Sequence, residues 1–286
     1  MRHPIFLAAL AGCALAMSGC AKNNDAEVTR ALKSVNAIDE TNLSDIMLTV
    51  GDPQEAVNYF QRSSSENPDR IDLKRGLAKS LIRAQRPNEA AKVWTQVIAM
   101  PEATQDDKVQ LADAQIRSND WKAAEATLNT IPPTHETFQR YKLEAMVADS
   151  NKNWAKADSF YEVAAGLTTK PGGVLNNWGF SKLTRGDAKG AEKLFAEALS
   201  YDPGAFTTKN NLVLARAAQR KYDMPVVDMS QTERAQLLYT AALSAIKQGD
   251  VAIGKGLLQE AVDTHPQHFE EAARALAALD ANVAKG

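Results

Sequence analysis

One pattern of 34 residues recurs along this chain, and its clearest copy runs from Gly172 to Ala205. That copy carries Trp178-Gly179, Gly186-Asp187, Ala191, Phe195, Ala198 and Pro203. A large residue beside a small one, a glycine turn, and then Ala followed by an aromatic describe two helices that cross closely. Small Ala at the crossing lets the two backbones approach, and the aromatic one turn later fills the space beside it. Gly or Asn at the turn tolerates a left-handed conformation, and the closing Pro cannot continue the helix. A pair of this kind cannot bury its apolar face alone, so the copies must stack.

From about residue 37 the chain reads as successive helix pairs. In the first, Gly51-Asp52 is the turn, Asp52-Pro53 fits an N-cap followed by Pro at the first helical position, Ala56 and Phe60 mark the second helix, and Pro68 closes it. The second pair starts at Ile71, with Pro87, Ala90 and Trp94 in its second helix and Pro101 at the end. The third holds Leu111-Ala112, Asn119-Asp120, Trp121, Ala124 and Leu128, and stops at Pro132-Pro133. The fourth holds Ala145, Asn153-Trp154, Ala157 and Tyr161, and ends before Pro171. The Gly172 copy is the fifth.

The sixth unit departs from the pattern. Its first helix is clear through Leu212, Val213 and Arg216, and the turn aromatic Tyr222 is present, but Pro225 falls where the second helix needs its small residue. Proline there costs about 3 kcal/mol. The second helix is therefore expected to be missing, with Met224–Met229 as an extended apolar connector that either docks a partner or covers its own stack. A seventh unit starts near Ala235 with Gly249-Asp250, Gly254, Leu258, Ala261 and Pro266, and a last helix over about 267–279 caps the open end. Trp121, Trp154 and Tyr222 share the place just after the turn and are read as packing residues.

This spacing matches the tetratricopeptide-repeat (TPR) signature. The expected fold is all-α, a right-handed superhelical TPR solenoid with a C-terminal capping helix. The expected organisation is a lipoprotein signal peptide over 1–19, a lipidated Cys and tether over 20–36, N-terminal TPR units over 37–170, and C-terminal TPR units over 171–286.

The signal peptide is read from Arg2 and His3 ahead of an apolar run from Ile5 to Met17, too short to span a bilayer comfortably. It ends in Met17-Ser18-Gly19-Cys20, which resembles the bacterial lipobox, with Met in place of the usual Leu. The resemblance implies acylation of Cys20, and multiple acyl chains give a firm anchor. Ala21 after it implies the outer membrane rather than inner-membrane retention. The alternative is an ordinary signal peptide with an incidental Cys.

Composition narrows the chemistry. The formal net charge is −2, so no global field favours nucleic acid or an anionic surface. The two cysteines, Cys13 and Cys20, both lie near the N-terminus, leaving no disulfide framework and no thiol nucleophile in the body. No P-loop and no Gly-x-Ser-x-Gly elbow is present. His265-Pro266-Gln267-His268 reads as a turn rather than a metal site, and Asp106-Asp107 and Glu270-Glu271 as acids at helix N-termini. No enzyme activity, cofactor, metal, small-molecule substrate or nucleic acid is expected.

A protein partner is expected instead. Asn177 and Asn211 fall one period apart on the first helices of the fifth and sixth units, each preceded by another Asn, Asn176 and Asn210. In TPR proteins that hold extended peptides, an Asn at this place commonly clamps the ligand backbone, because a carboxamide both donates and accepts. Lys209 and Arg216 on the same helix are candidates to meet a partner carboxylate. The alternative is that these Asn side chains brace the helices or face water.

Leu175-Asn176-Asn177-Trp178-Gly179-Phe180, Thr184-Arg185-Gly186-Asp187, Lys209-Asn210-Asn211-Leu212-Val213-Leu214-Ala215 and Gln248-Gly249-Asp250, together with the lipobox, resemble the TPR lipoprotein of Tad (Flp) pilus assembly systems, TadD-like. That resemblance implies a non-enzymatic outer-membrane lipoprotein on the periplasmic face, acting as a scaffold or pilotin for the pilus secretin or other Tad components. The other reading is an envelope adaptor for outer-membrane protein assembly or peptidoglycan enzymes.

Overall fold

Side-chain caps and left-handed turns divide this chain into helices at regular intervals. The computed structural model describes residues 43–283. The expected signal peptide, Cys20 and tether lie outside the described residues. Within them the structure is all helix, turn and irregular connection, as the 34-residue pattern predicts. No helix among the described residues is long and apolar enough to cross a membrane.

The chain forms two compact units, 1–103 and 104–286. The expected division at 170/171 is a repeat boundary inside the second unit. The first unit contains α1 (residues 43–49), α2 (Pro53–Glu66), α3 (Ile71–Arg83) and α4 (Pro87–Ile98). Asp52 caps α2 by accepting from the amides of Gln54 and Glu55 at 2.8 and 3.0 Å, with Pro53 at the first helical position. Phe60 of α2 packs so tightly on α3 that a Cβ at Gly76 would lie 2.3 Å from its ring.

The second unit contains α5 (Gln105–Arg117), α6 (Trp121–Leu128), α7 (Phe138–Ser150), α8 (Trp154–Gly166), α9 (Gly172–Thr184), α10 (Ala188–Tyr201), α11 (Phe206–Ala217), α12 (Gln231–Lys247), α13 (Val251–Thr264) and α14 (Glu270–Val283). Turns of three residues join α5 to α6, α7 to α8, α9 to α10 and α12 to α13. Helices joined so briefly must run back on one another. Asp120, Asn153 and Asp187 cap the second helices by accepting from the amides of Ala123, Lys156 and Gly190. At the start of α5, Thr104 and Asp107 form a reciprocal capping box, which gives the acid at 107 its place.

The turns at Gln85, Lys152 and Arg220 differ in residue type from the expected Gly or Asn, which Asn119, Gly186 and Gly249 match. The left-handed position is Gly only at Gly186 and Gly249; elsewhere it is Gln85, Asn119, Lys152 and Arg220, with φ of 59°, 63°, 56° and 59°. The compensation is a hydrogen bond. In every case the next residue donates its amide to the carbonyl five positions back, from Arg86 to Leu81, Asp120 to Gln115, Asn153 to Ala148, Asp187 to Lys182, Lys221 to Arg216 and Asp250 to Ala245, at 2.8–3.1 Å. This closure satisfies carbonyls that the helix end would otherwise leave unpaired, and an unbranched side chain tolerates the conformation.

The sixth unit keeps its turn at Arg220 but has no second helix, as Pro225 predicts. Residues 221–230 run as an irregular connector. Met224 and Met229 pack against Val213, Leu237 and Ala241, and Val227 packs against Phe195, Leu199 and Leu212. Val226 points fully outward. The connector thus lies over its own stack and leaves a cleft of about 600 Å³ against Leu199 of α10 and Pro203 just after it. Helix α12 begins at Gln231 behind a capping box of Ser230 and Glu233, and the last helix lies three to four residues later than expected, at Glu270–Val283.

A groove lined by the first helices of the second unit

A groove of about 550 Å³ runs across α7, α9 and α11, with the starts of α6 and α8 at its edge. Its α9 wall is Asn176, Asn177, Phe180, Ser181 and Thr184. These positions recur every three to four residues, so one helical face supplies them all. Met146, Asp149 and Ser150 come from α7, and Thr207 and Asn211 from α11. Trp121, Trp154 and Tyr161 complete it. Both Trp residues are half-buried and line the groove: Trp121 packs against the core cluster of Val109, Ala112 and Leu143, as expected, and the Arg185 guanidinium lies 5.7 Å from the Trp154 ring centre.

The close approach of α9 to α10 fixes this wall. A Cβ at Gly179 would sit 2.7 Å from the Phe195 ring, so only glycine permits the observed spacing. With Gly179 facing inward, Phe180 faces outward and stays 52% exposed in the groove.

Three of the candidate residues meet here, and the Asn side chains prove to be braces. Asn211 is buried and donates Nδ2 to Oδ1 of Asn176 at 3.0 Å, tying α11 to α9. The equivalent bond one unit on runs from Thr240 Oγ1 to Oδ1 of Asn210 at 2.8 Å, tying α12 to α11. Asn177 makes only a 4.0 Å contact from Nδ2 to the sulfur of Met146. Asn176, Asn177 and Asn211 thus line the groove together, Asn176 and Asn211 also bracing their helices, whereas Asn210 only braces.

Lys209 and Arg216 are placed otherwise than expected. Lys209 is 3% exposed, with Nζ 3.2 Å from Glu233. Arg216 is held between Glu192 at 2.9 Å and Asp223. Both cations are neutralised inside the chain and neither lines the groove. Burial works against ionisation of Glu192, yet bonds from Lys221 and Gln219 and the charges of Lys221 and Arg216 hold its carboxyl below the ordinary value.

The single charged residue lining the groove, Asp149, is held by two hydroxyls. Its Oδ2 accepts from the Tyr161 hydroxyl at 2.8 Å and its Oδ1 from the Ser181 hydroxyl at 2.6 Å. Burial, with the Asp149 carboxylate beside it, pushes the Tyr161 phenol far above its usual range, so it stays a donor. Behind α9, Asp158 accepts from Trp178 Nε1 at 2.6 Å and Arg185 Nη2 at 2.6 Å, with Lys182 Nζ at 3.3 Å. Sequence reasoning missed Phe180 and Thr207; the three-to-four spacing from Asn176 and Asn177 points to Phe180, while no signal in the chain singles out Thr207.

His265 sits in its turn with Nδ1 2.8 Å from the Gln267 carbonyl and its ring against Phe269. Among the described residues no group of three or more His, Cys, Asp or Glu is placed to hold a metal ion.

The tetratricopeptide repeat family model matches residues 47–108. A TPR protein from Parabacteroides merdae ATCC 43184 superposes with a TM-score of 0.56 at 13% identity, over 83% of this chain and 96% of that one. The C-terminal part of a TPR repeat-containing protein from Cytophaga hutchinsonii gives 0.54 at 14% identity, over 82% and 98%. A chain of the APC/C Cut9–Hcn1 hetero-tetramer gives 0.59 at 14% identity, over 82% of this chain. The fold is a TPR fold. This chain spans about half, 48%, of that Cut9–Hcn1 chain, and likeness at these identities concerns fold alone. No curated protein is significantly similar in sequence. Helical TPR stacks of this kind mediate protein–protein contacts, and most do so without catalysis.

Proposed function

We propose that the protein is a non-enzymatic TPR scaffold, lipid-anchored through Cys20 at the periplasmic face of the outer membrane, supporting assembly of a Tad (Flp) pilus or its secretin. The groove across α7, α9 and α11 supports the scaffold part: it is lined by the side-chain amides of Asn176, Asn177 and Asn211, by half-buried Trp121 and Trp154, and by exposed Phe180. The Tad part is supported by the resemblance of residues 175–187 and 209–215, and the anchor by the lipobox at 17–20.

The test places a photocrosslinking residue at Thr207, exposed on the groove wall, in the full-length protein within cells that assemble a Tad pilus. Capture of the secretin or another Tad component there supports the proposal. Capture of an outer-membrane assembly factor or a peptidoglycan enzyme favours the envelope-adaptor reading, and the absence of any groove crosslink sinks the scaffold role of this surface. Cys20→Ser is expected to abolish acyl labelling and release the protein from membranes; persistent labelling refutes the anchor.

A further inference from the structure

We propose that this groove receives an arginine side chain of the partner, its guanidinium held by the Asp149 carboxylate and by the aromatic rings that line the groove. The proposal rests on the scaffold reading above and adds what the partner presents there.

Charge is the first argument. Asp149 is the single charged residue lining the groove. Tyr161 and Ser181 each donate one hydroxyl to it, at 2.8 and 2.6 Å. Both donors are neutral, so they orient the carboxylate without cancelling its charge. A carboxylate accepts at about four lone-pair sites, and two hydroxyls leave roughly half of them open. Among the described residues no Lys, Arg or His lines the groove. Lys182 and Arg185, the cations at the end of α9, pair with Asp158 instead. A negative charge in this place lacks a counter-charge, and a partner cation supplies one.

The rings are the second argument. Trp121 and Trp154 are half-buried in the groove, and Phe180 is 52% exposed there. The face of an aromatic ring is electron-rich and attracts a cation. An apolar side chain would cover the rings but leave Asp149 without a partner; a cation answers both. Two further lining groups agree. Ser150 and Thr184 donate their hydroxyls to the carbonyls of Val147 and Ser181, at 2.8 Å each, and keep only acceptor capacity.

Shape decides between arginine and lysine. A guanidinium is flat, stacks on a ring face and forks onto a carboxylate, whereas an ammonium is a compact, strongly hydrated point charge. The chain already uses this combination beside the groove. The Arg185 guanidinium lies 5.7 Å from the Trp154 ring centre, with Nη2 at 2.6 and 2.7 Å from the two Asp158 oxygens. Asp149, with Trp121 and Phe180, repeats that set of partners for a guanidinium from outside.

The test is isothermal titration of the purified full-length protein with N-acetylated, C-amidated peptides about ten residues long. The first carries one Arg in a Ser/Gly host. The others replace that Arg by citrulline, which has its shape without its charge, by Lys, or by Glu. The Arg peptide is expected to bind with a Kd below about 1 mM, the Lys peptide more weakly, and the citrulline and Glu peptides about tenfold or more weaker. Phe180→Ala should weaken the Arg peptide about threefold or more; Phe180→Tyr should keep its affinity and Phe180→Leu should not, which separates the ring face from mere bulk. Phe180 is exposed, so none of the three should change the unfolding temperature. Asp149→Asn should erase the preference for Arg over citrulline; if it lowers the unfolding temperature, the Phe180 series decides alone. Equal binding of the Arg and citrulline peptides overturns the proposal, as does tighter binding of the Glu or Lys peptide, an unchanged affinity in Phe180→Ala, or no binding of the Arg peptide up to about 1 mM. If the Thr207 crosslink still captures a partner in that case, the scaffold reading stands and only this chemistry falls; if neither works, both fall.

Discussion

The side-chain amide of Asn211 donates to that of Asn176 at 3.0 Å, bridging the first helices of two successive repeats. A buried amide pair is worth little net but is costly to break on one side only. We expect Asn176→Ala to destabilise the protein by about 1 kcal/mol through the buried Asn211 amide left unpaired. Asn211→Ala on top of it should add less than its own single effect. A urea-denaturation double-mutant cycle measures this; fully additive effects would show that the bond carries no coupling.

Gly179 and Gly256 should respond oppositely to a side chain. A Cβ at Gly179 meets the Phe195 ring at 2.7 Å, while one at Gly256 in α13 meets nothing within 4 Å. Gly179→Val is expected to cost about 2–3 kcal/mol by overpacking. Gly256→Ala is expected to add about 0.5–1 kcal/mol, because helix propensity is then the only change. Thermal unfolding of the two variants decides, and a stable Gly179→Val protein would contradict the close approach of α9 to α10.

Asp158 gives an acid dependence. Burial raises its pKa, but the bonds from Trp178 and Arg185 and the charges of Arg185 and Lys182 outweigh that and leave it lowered. A carboxyl lowered in the folded state stabilises at pH above its unfolded value, near 4, and loses that contribution as pH falls through the folded value. The protein should therefore weaken below about pH 4, and Asp158→Asn should be less stable at pH 7 with a flatter acid limb. Urea midpoints from about pH 2.5 to 7 test it; parallel curves for the two proteins would count against the network.

The connector of the sixth unit predicts a contrast between neighbours. Val226 is fully exposed, whereas Val227 packs against Phe195, Leu199 and Leu212. Val226→Asp should be neutral within about 0.5 kcal/mol, and Val227→Asp should cost about 1–3 kcal/mol. Equal effects would mean that the connector does not cover the stack.

Much of this architecture is legible in the chain because one residue type meets one steric demand. Ala191 and Phe195, Gly179 against that ring, and Pro225 inside the expected helix, where its small residue belongs, each leave one outcome open. The turns were less legible. Gln85, Lys152 and Arg220 hold left-handed conformations through a hydrogen bond from the following amide, which depends on backbone geometry and not on residue type. Asn176, Asn177 and Asn211 were readable as groove residues from their register. Their bracing bonds, and the capture of Lys209 and Arg216 by Glu233, Glu192 and Asp223, join residues 7 to 35 positions apart, which spacing within one repeat cannot reveal.

The missing helix of the sixth unit has a consequence for how the second unit comes apart. Linear arrays open where adjoining modules share the least buried surface. Between α10 and α13 the outer layer is reduced to the irregular connector, and the seam is bridged by the apolar packing of Val213 and Ala217 with Leu237, Ala241 and Ala245 and by side-chain bonds, among them Arg220 and Tyr222 to Asp250 and Lys209 to Glu233. We expect helices α12–α14 to open as a separate cooperative block. Their amides should exchange with solvent deuterium together, at a rate distinct from that of α7–α10, with the seam at the connector marking where protection changes.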